Sequence, residues 1–222
     1  MIEFFLKGGV VMYPILLCSV ISIAITLERL IYLTIAGVRN KKFLSQATKI
    51  ESNNRLEELN ELSQKIKSPI SNFLSSAIEN LNKPDEERGV IIQRVGSNQM
   101  RDLERNLGIL GIVAHISPLL GLLGTVMGMI RAFMTIQNLG GQVDAVILAG
   151  GIWEAMITTA AGLSVAIPTM IFYYFLEGRV DNLTSEMKDA ALYFPWVFAK
   201  YQLKPASSQE SRSESEEGNY GI

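Results

Sequence analysis

Four polar side chains stand out in this sequence because they lie within long apolar segments. Glu154 is the one formally charged residue in the run from position 147 to 176. Thr158 lies one helical turn further on the same face, Thr159 follows it, and Thr125 lies in an earlier apolar run. An ionised carboxylate in a bilayer costs at least about 2.5–3.5 kcal/mol unless it faces water or a partner. A carboxylate with nearby hydroxyls therefore predicts either a path for a proton or another cation, or a polar contact between helices.

The elements that must position these residues are three apolar runs, each long enough to cross a bilayer. They cover residues 9–27, 107–130 and 147–176, and about 20 apolar residues span a hydrocarbon core of about 30 Å. The chain is 48% hydrophobic and only 19% charged, and segments 1–36 and 107–176 hold four and three charged residues respectively. This segregation excludes a soluble globular enzyme. It predicts an all-α membrane protein with three transmembrane helices.

The distribution of basic residues predicts the orientation of the chain. Segment 37–106 carries 12 Lys or Arg residues, segment 131–146 carries one, and the chain after the third run carries five. Because basic loops stay on the cytoplasmic side of a membrane, the N-terminus is predicted outside. The middle segment and the C-terminus are predicted inside.

Five segments follow from this layout, with long helices extending from the membrane into the cytoplasm. They are an N-terminal segment with the first transmembrane helix (1–36), a cytoplasmic helical domain (37–106), transmembrane helices 2 and 3 (107–178), a cytoplasmic C-terminal helix (179–205) and a disordered tail rich in Ser and Glu (206–222). Pro84 and the acids after it resemble a helix start, and that helix is predicted to run without a break into the second span. Residues 131–146 are predicted to form the turn between the second and third spans.

Small residues crowd the second and third runs and predict close packing of the two helices. The residues with this predicted role are Gly121, Gly124, Gly128 and Gly162. Pro14, Pro118 and Pro168 each interrupt a span, and we interpret them as kinks whose freed carbonyls are satisfied by neighbouring helices.

The single histidine and the single cysteine limit the chemistry that is open to the chain. Cys18 and His115 exclude a disulfide framework and a His or Cys metal cluster, so no metal and no cofactor is predicted. His115 lies in the second run, where it either relays protons or makes a hydrogen bond between helices.

Two stretches of these runs resemble the signatures of a known membrane protein family. Residues 117–126 read SPLLGLLGTV and closely resemble the APLLGLLGTV signature of the MotA/TolQ/ExbB proton channel family. Residues 154–163 read EAMITTAAGL and, with residues 166–168, look like the second signature of that family. Residues 103–107 are similar to its usual entry to the second span. The size and the three spans favour the TolQ/ExbB branch over the four-span flagellar stator.

The resemblance implies an ion-channel subunit of a motor in the bacterial inner membrane. Five copies would surround a dimer of a smaller single-span partner of ExbD or TolR type, whose membrane aspartate takes up the ion. The motor would couple the proton motive force to envelope work, such as TonB-dependent transport, a Tol-Pal-like function or gliding, with a TonB/TolA-like protein as a candidate link across the periplasm. Neither an enzymatic activity nor a nucleic-acid partner is implied.

The resemblance also assigns individual residues. Thr125 and Thr159 match the pore-lining threonines of the family, and Glu154 matches its glutamate in the third span. Thr158 stands where related sequences often have Ala, and this additional hydroxyl leaves the choice between proton and sodium open.

Two other classes of function compete with this one. A membrane scaffold would hold a partner without conducting ions. An intramembrane enzyme would need a nucleophile with a base, or metal ligands, and the spans offer only His115.

Overall fold

The computed structural model describes residues 8–50, 55–139 and 145–193, and the regular secondary structure of these residues is entirely α-helical. The helices are α1 (Met12–Ala47), α2 (Arg55–Lys65), α3 (Pro69–Glu79), α4 (Asp85–Glu104), α5 (Leu107–Asn138) and α6 (Ala145–Tyr193). Three helical stretches among these residues are long and apolar enough to cross a membrane: Met12–Ala47, Glu86–Asn138 and Leu148–Ala190. The prediction of an all-α chain is confirmed for the described residues, and the three predicted helices have the length and apolar composition that a membrane span requires.

The prolines of the three spans occupy different kinds of position. Pro14 lies in the first turn of α1, where a missing N–H removes no helical hydrogen bond, so the kink predicted there is wrong. Pro118 and Pro168 lie inside α5 and α6, and both helices continue through them.

The segment between the second and third long helices is shorter than predicted. Residues 131–138 continue α5 as helix, and α6 begins at Ala145. Arg131 is therefore a helical residue, about two turns before the end of α5. The prediction of a turn is wrong for residues 131–138, 145 and 146, because a helix ends where its backbone hydrogen bonds stop and not where an apolar run stops. Residues 140–144 of the predicted turn lie outside the described residues.

The long helix predicted to enter the second span is broken just before the membrane. Arg105 and Asn106 form a turn between α4 and α5, and Asn106 has a left-handed backbone with φ of 63°. Asn is one of the few residues that tolerate this conformation. Its side-chain amide donates to the Glu28 carboxylate over 3.0 Å. The prediction of an uninterrupted helix is wrong at this residue.

Replacing Asn106 with alanine should destabilise the protein by about 1 kcal/mol, because a Cβ-bearing side chain without a local hydrogen bond is strained at positive φ. Asn106→Gly should cost less, since glycine adopts this backbone freely although it also loses the bond to Glu28. Thermal unfolding of the full chain in detergent measures the difference. Equal losses for the two variants would show that the Glu28 bond, and not the backbone, decides the effect.

The chain divides into two compact units. The first, here called the membrane unit, comprises Met1–Thr34 and Glu104–Val180 and contains the two signature stretches 117–126 and 154–163. The second unit comprises Ile35–Leu103 and Asp181–Ile222. Its core contains apolar side chains from α1, α2, α3, α4 and α6, among them Phe43, Leu59, Ile70, Leu74, Leu103 and Ala190. Residues 194–222 lie outside the described residues, and with them the last part of the predicted C-terminal helix (194–205) and the predicted tail. The described part, 179–193, continues α6 without a break.

The start of α3 shows how the second unit satisfies its backbone groups. Pro69 is the first helical residue and has no N–H to satisfy. The Ser68 hydroxyl accepts from the Ser71 N–H at 3.1 Å, and the Asn40 side-chain oxygen accepts from the Ile70 N–H at 3.3 Å. Asn40 is fully buried, and its amide nitrogen also donates to Glu186 of α6 at 3.3 Å. One asparagine of α1 is thus bonded to both α3 and α6.

Candidate functional site

Helices α5 and α6 meet at their backbones along a line of glycines. Gly121 and Gly124 of α5 and Gly162 of α6 are buried. A Cβ added to Gly162 would lie 2.6 Å from the Ser117 carbonyl oxygen, and one added to Gly121 would lie 3.1 Å from the Thr159 Cα. A side chain at Gly162 would overlap the backbone of α5, and one at Gly121 would be closer to the backbone of α6 than most real Cβ contacts are. The predicted role of these glycines in close packing is consistent with these distances.

The same contact continues towards the turn that joins the two helices. A Cβ on Gly128 would lie 3.0 Å from the Gly151 carbonyl oxygen, and one on Gly151 would lie 2.5 Å from the Ala132 Cβ. Gly150, the neighbour of Gly151, would meet nothing within 4 Å. Small residues are therefore required on one face of α6 and not on the other.

The two adjacent threonines of α6 have different environments. Thr159 is half-buried and its hydroxyl donates to the Gly121 carbonyl of α5 at 3.2 Å. Thr158 is 1% exposed, and its hydroxyl donates to the Ala155 carbonyl of its own helix at 2.8 Å. A Cβ on Gly124 would fall onto the Thr158 side chain. This enclosure favours a packing role for Thr158, and the pore-lining role predicted for it stays a prediction.

Thr125 lies on α5 beside the glycine face. It is half-buried, and its hydroxyl donates to the Leu122 carbonyl of its own helix at 2.6 Å. Thr125 and Thr159 are therefore both partly accessible and both have a hydroxyl bonded to a carbonyl of α5. Such hydroxyls keep their oxygen lone pairs as acceptors, so the two residues can receive a hydrogen bond from water or from a partner group.

Glu154 is paired with a residue that the sequence pattern assigned to a turn. Arg131 Nη1 of α5 donates to Glu154 Oε1 of α6. A Cβ on Gly9 would overlap Glu154 Oε1 and lie 2.7 Å from Arg131 Nη1. The ion pair therefore lies against the backbone at the start of the chain's first span, where three segments of the membrane unit meet.

His115 is exposed on α5, and its Nδ1 lies 2.7 Å from the Gly111 carbonyl oxygen. This bond is made within one helix, so the structure does not show the predicted bond between helices at this nitrogen.

A cavity of about 380 Å³ lies between α1 and α6 within the membrane unit. Hydroxyl residues and apolar residues line it together, including Ser22, Thr26, Pro168, Thr169 and Phe172. The contact between α1 and α6 at this level is consequently more open than the glycine contact between α5 and α6.

The structure brings together most of the residues singled out from the sequence. Gly121, Gly124, Gly128, Gly162, Thr158 and Thr159 share one helix contact, and Glu154 lies at its end near the turn. Sequence reasoning missed Arg131, Gly151 and Gly9. Arg131 lies seven residues before the end of α5 and Glu154 lies nine residues after the start of α6. Antiparallel packing of the two helices therefore brings them to a similar level. Across the described residues, no cluster of three or more His, Cys, Asp or Glu side chains could hold a metal ion.

Comparison with known proteins shows which family the pair of helices α5 and α6 belongs to. The sequence model of the MotA/TolQ/ExbB proton channel family matches residues 65–189, which is more than half of the chain. The chain belongs to this family. The matched range contains Thr125, Arg131, Glu154 and Thr159, together with the whole glycine contact.

Individual relatives place the chain on the ExbB/TolQ branch of the family. A putative biopolymer transport protein, an ExbB homolog of Methanothermobacter thermautotrophicus, is 31% identical over a match that covers 91% of this chain and 72% of the relative. The biopolymer transport protein exbB1 of Vibrio cholerae is 27% identical, with 83% and 82% covered. The Tol-Pal system protein TolQ of Haemophilus influenzae is 38% identical over 40% of this chain and 39% of its own length. The resemblance seen in the two signatures is thereby confirmed.

Proposed function

We propose that this chain is the ion-conducting subunit of an inner-membrane motor that couples the proton motive force to work in the cell envelope. The observation that carries the proposal is the glycine contact between α5 and α6, which holds Thr159 beside the Gly121 carbonyl and leaves Thr125 partly accessible. Both threonines and Glu154 lie in the range shared with a family of proton channels. No enzymatic step is required for this function.

The motor needs more than one chain. In the proposed assembly, five copies form a ring around a dimer of a single-span protein of ExbD or TolR type, which supplies a carboxylate to the threonine-lined wall. The extensive apolar surface of α5 and α6, including exposed Leu119, Leu122, Ile167 and Ile171, provides area for lipid, for neighbouring copies and for the partner. The N-terminus lies in the periplasm and the C-terminus in the cytoplasm, as the basic residues of 37–106 favour. A TonB- or TolA-like protein would receive the force.

The proposal is tested by proton flux into vesicles that contain the chain and its single-span partner. The variant Thr159→Ala with Glu154→Ala should lower the flux by about tenfold or more, because it removes a hydroxyl and a carboxylate from the proposed path. A pH-sensitive dye trapped in the vesicles gives the rate. The same vesicles with an imposed sodium gradient distinguish a sodium-driven motor from a proton-driven one.

Ser164→Ala is the matched control, since it removes a hydroxyl from α6 that is bonded to the Ala160 carbonyl of its own helix, away from Thr159. Its flux should equal that of the unaltered protein. Undiminished flux in the double variant would exclude this site assignment. A complex that assembles but conducts neither ion would instead favour the membrane scaffold.

A further inference from the structure

The ion pair between Arg131 and Glu154 connects the two helices that carry the proposed path. It joins α5 to α6 at the end of the glycine contact that lies nearest to their turn. The side chain of Glu154 is 22% exposed and that of Arg131 is 43% exposed. The carboxylate is therefore the more enclosed partner of the pair.

The third contact of the pair is made by backbone and not by a side chain. Gly9 has a φ of +67° and approaches both the carboxylate and the guanidinium. Any larger residue would both strain this backbone and occupy the space of the two charged groups. Glu154 is consequently held between a cation on α5 and the chain just before α1.

We propose that Arg131 is a positioning residue for the ion path, which fixes the Glu154 carboxylate against Gly9 as one half of a neutral pair. This inference rests on the proposed function and specifies how Glu154 serves it. A guanidinium stays charged and binds carboxylates in a defined geometry. Glu154 then acts as an oriented, charge-balanced group of the wall, and the mobile ion is left to the partner's carboxylate and the threonines.

The pair predicts that its two members depend on each other. Without Arg131, a partly enclosed carboxylate is left uncompensated in a medium of low dielectric constant. It can then turn away from Gly9 or retain a passing cation, and either change slows conduction. Removal of both charges avoids this penalty, because no lone charge remains.

The test is a double-variant cycle on proton flux in vesicles containing the complex with the single-span partner. Arg131→Gln and Glu154→Gln should each lower the flux by about tenfold, and the variant with both should be no slower than the slower single variant. Arg131→Lys, which keeps the charge but loses the fixed geometry of the guanidinium, should give a flux between those of Arg131→Gln and the unaltered complex. Flux is normalised to the amount of complex recovered, so a loss of assembly is counted separately.

Gly9→Ala tests the same arrangement from the third segment. It should lower the flux to the level of Arg131→Gln, because the added methyl would displace the pair. Gly108→Ala is the control, since it makes the same change on α5 where a Cβ would meet nothing within 4 Å, and it should leave the flux unchanged.

The outcomes separate this inference from the function on which it rests. Normal flux in the unaltered complex, together with independent and multiplicative losses for Arg131→Gln and Glu154→Gln, would overturn the positioning role alone. Full flux in Arg131→Gln would do the same. Absence of flux in the unaltered complex would overturn the proposed function and the positioning role together.

Discussion

Replacing Gly162 with alanine should destabilise the membrane unit by about 2–3 kcal/mol. The new methyl group would lie 2.6 Å from the Ser117 carbonyl oxygen and 3.0 Å from the Gly121 Cα. Both atoms belong to backbone, so a rotamer change cannot relieve the overlap and the helices must separate. Overpacking of this kind costs about 1–3 kcal/mol, and the poorer packing of apolar side chains along α5 adds to it. The measurement is the unfolding midpoint of the full chain in mixed micelles as the fraction of denaturing detergent is raised.

Gly150→Ala is the control for this prediction, because it makes the same change in the same helix where a Cβ meets nothing within 4 Å. It should be neutral, or stabilising by up to about 1 kcal/mol, since alanine favours a helix more than glycine does. If Gly162→Ala were as stable as Gly150→Ala, the backbone contact between α5 and α6 would not exist as described.

The second large effect is expected at Asn40. Asn40→Leu should destabilise the second unit by about 3 kcal/mol, because it leaves the buried Ile70 N–H without an acceptor at the start of α3. An unsatisfied buried donor costs about 1–3 kcal/mol, and the bond to Glu186 is lost as well. Denaturation of the full chain, followed by far-ultraviolet circular dichroism, reports this change.

Glu186→Ala separates the two bonds of Asn40. Glu186 is only half-buried, so water can replace it as an acceptor for the Asn40 amide, and the loss should stay below about 1 kcal/mol. A loss for Glu186→Ala that matched that of Asn40→Leu would transfer the main role from the Ile70 bond to the Glu186 bond.

Much of the fold could be predicted because the length of an apolar run can be read directly from the sequence. Three apolar runs indicated three spans, and Pro84 with the acids after it indicated a helix start, which the structure confirms because α4 begins at Asp85. The ends of helices were less predictable, since an apolar run marks the hydrocarbon region and not the point where backbone hydrogen bonding stops. Residues 131–138 show this, because Arg131 ends the apolar run and the helix nevertheless continues to Asn138.

The break at Asn106 could not be predicted from periodicity. Its left-handed backbone is accompanied by a bond to Glu28, which is distant in sequence, and the apolar pattern on either side gives no sign of an interruption. The same limit applied to Glu154. The sequence showed that this carboxylate needs a partner, but Arg131 could be recognised as that partner only once it was known to be helical.

The small residues of the second and third runs predicted close helix packing, but they did not predict how the two threonines would differ. Thr158 and Thr159 are adjacent, but Thr158 is enclosed against Gly124 while Thr159 donates to the Gly121 carbonyl. Helical spacing alone placed Thr158 with Glu154 and Thr159 away from it. Contact between helices, and not the spacing along one helix, therefore separates the two.

Contact at backbone distance also limits which parts of the membrane unit can move. The side chains of Thr158 and Ala155 already lie against Gly124 and Gly128. A slide of α6 along α5 by one residue, about 1.5 Å, would move them away from the two glycines that leave room for them. The two helices have no clearance for such a slide, so during a working cycle they must be displaced as a single piece. Helix α1 is not locked in this way, since an open cavity separates part of it from α6. Movement of helices within the subunit is therefore expected between α1 and the pair formed by α5 and α6.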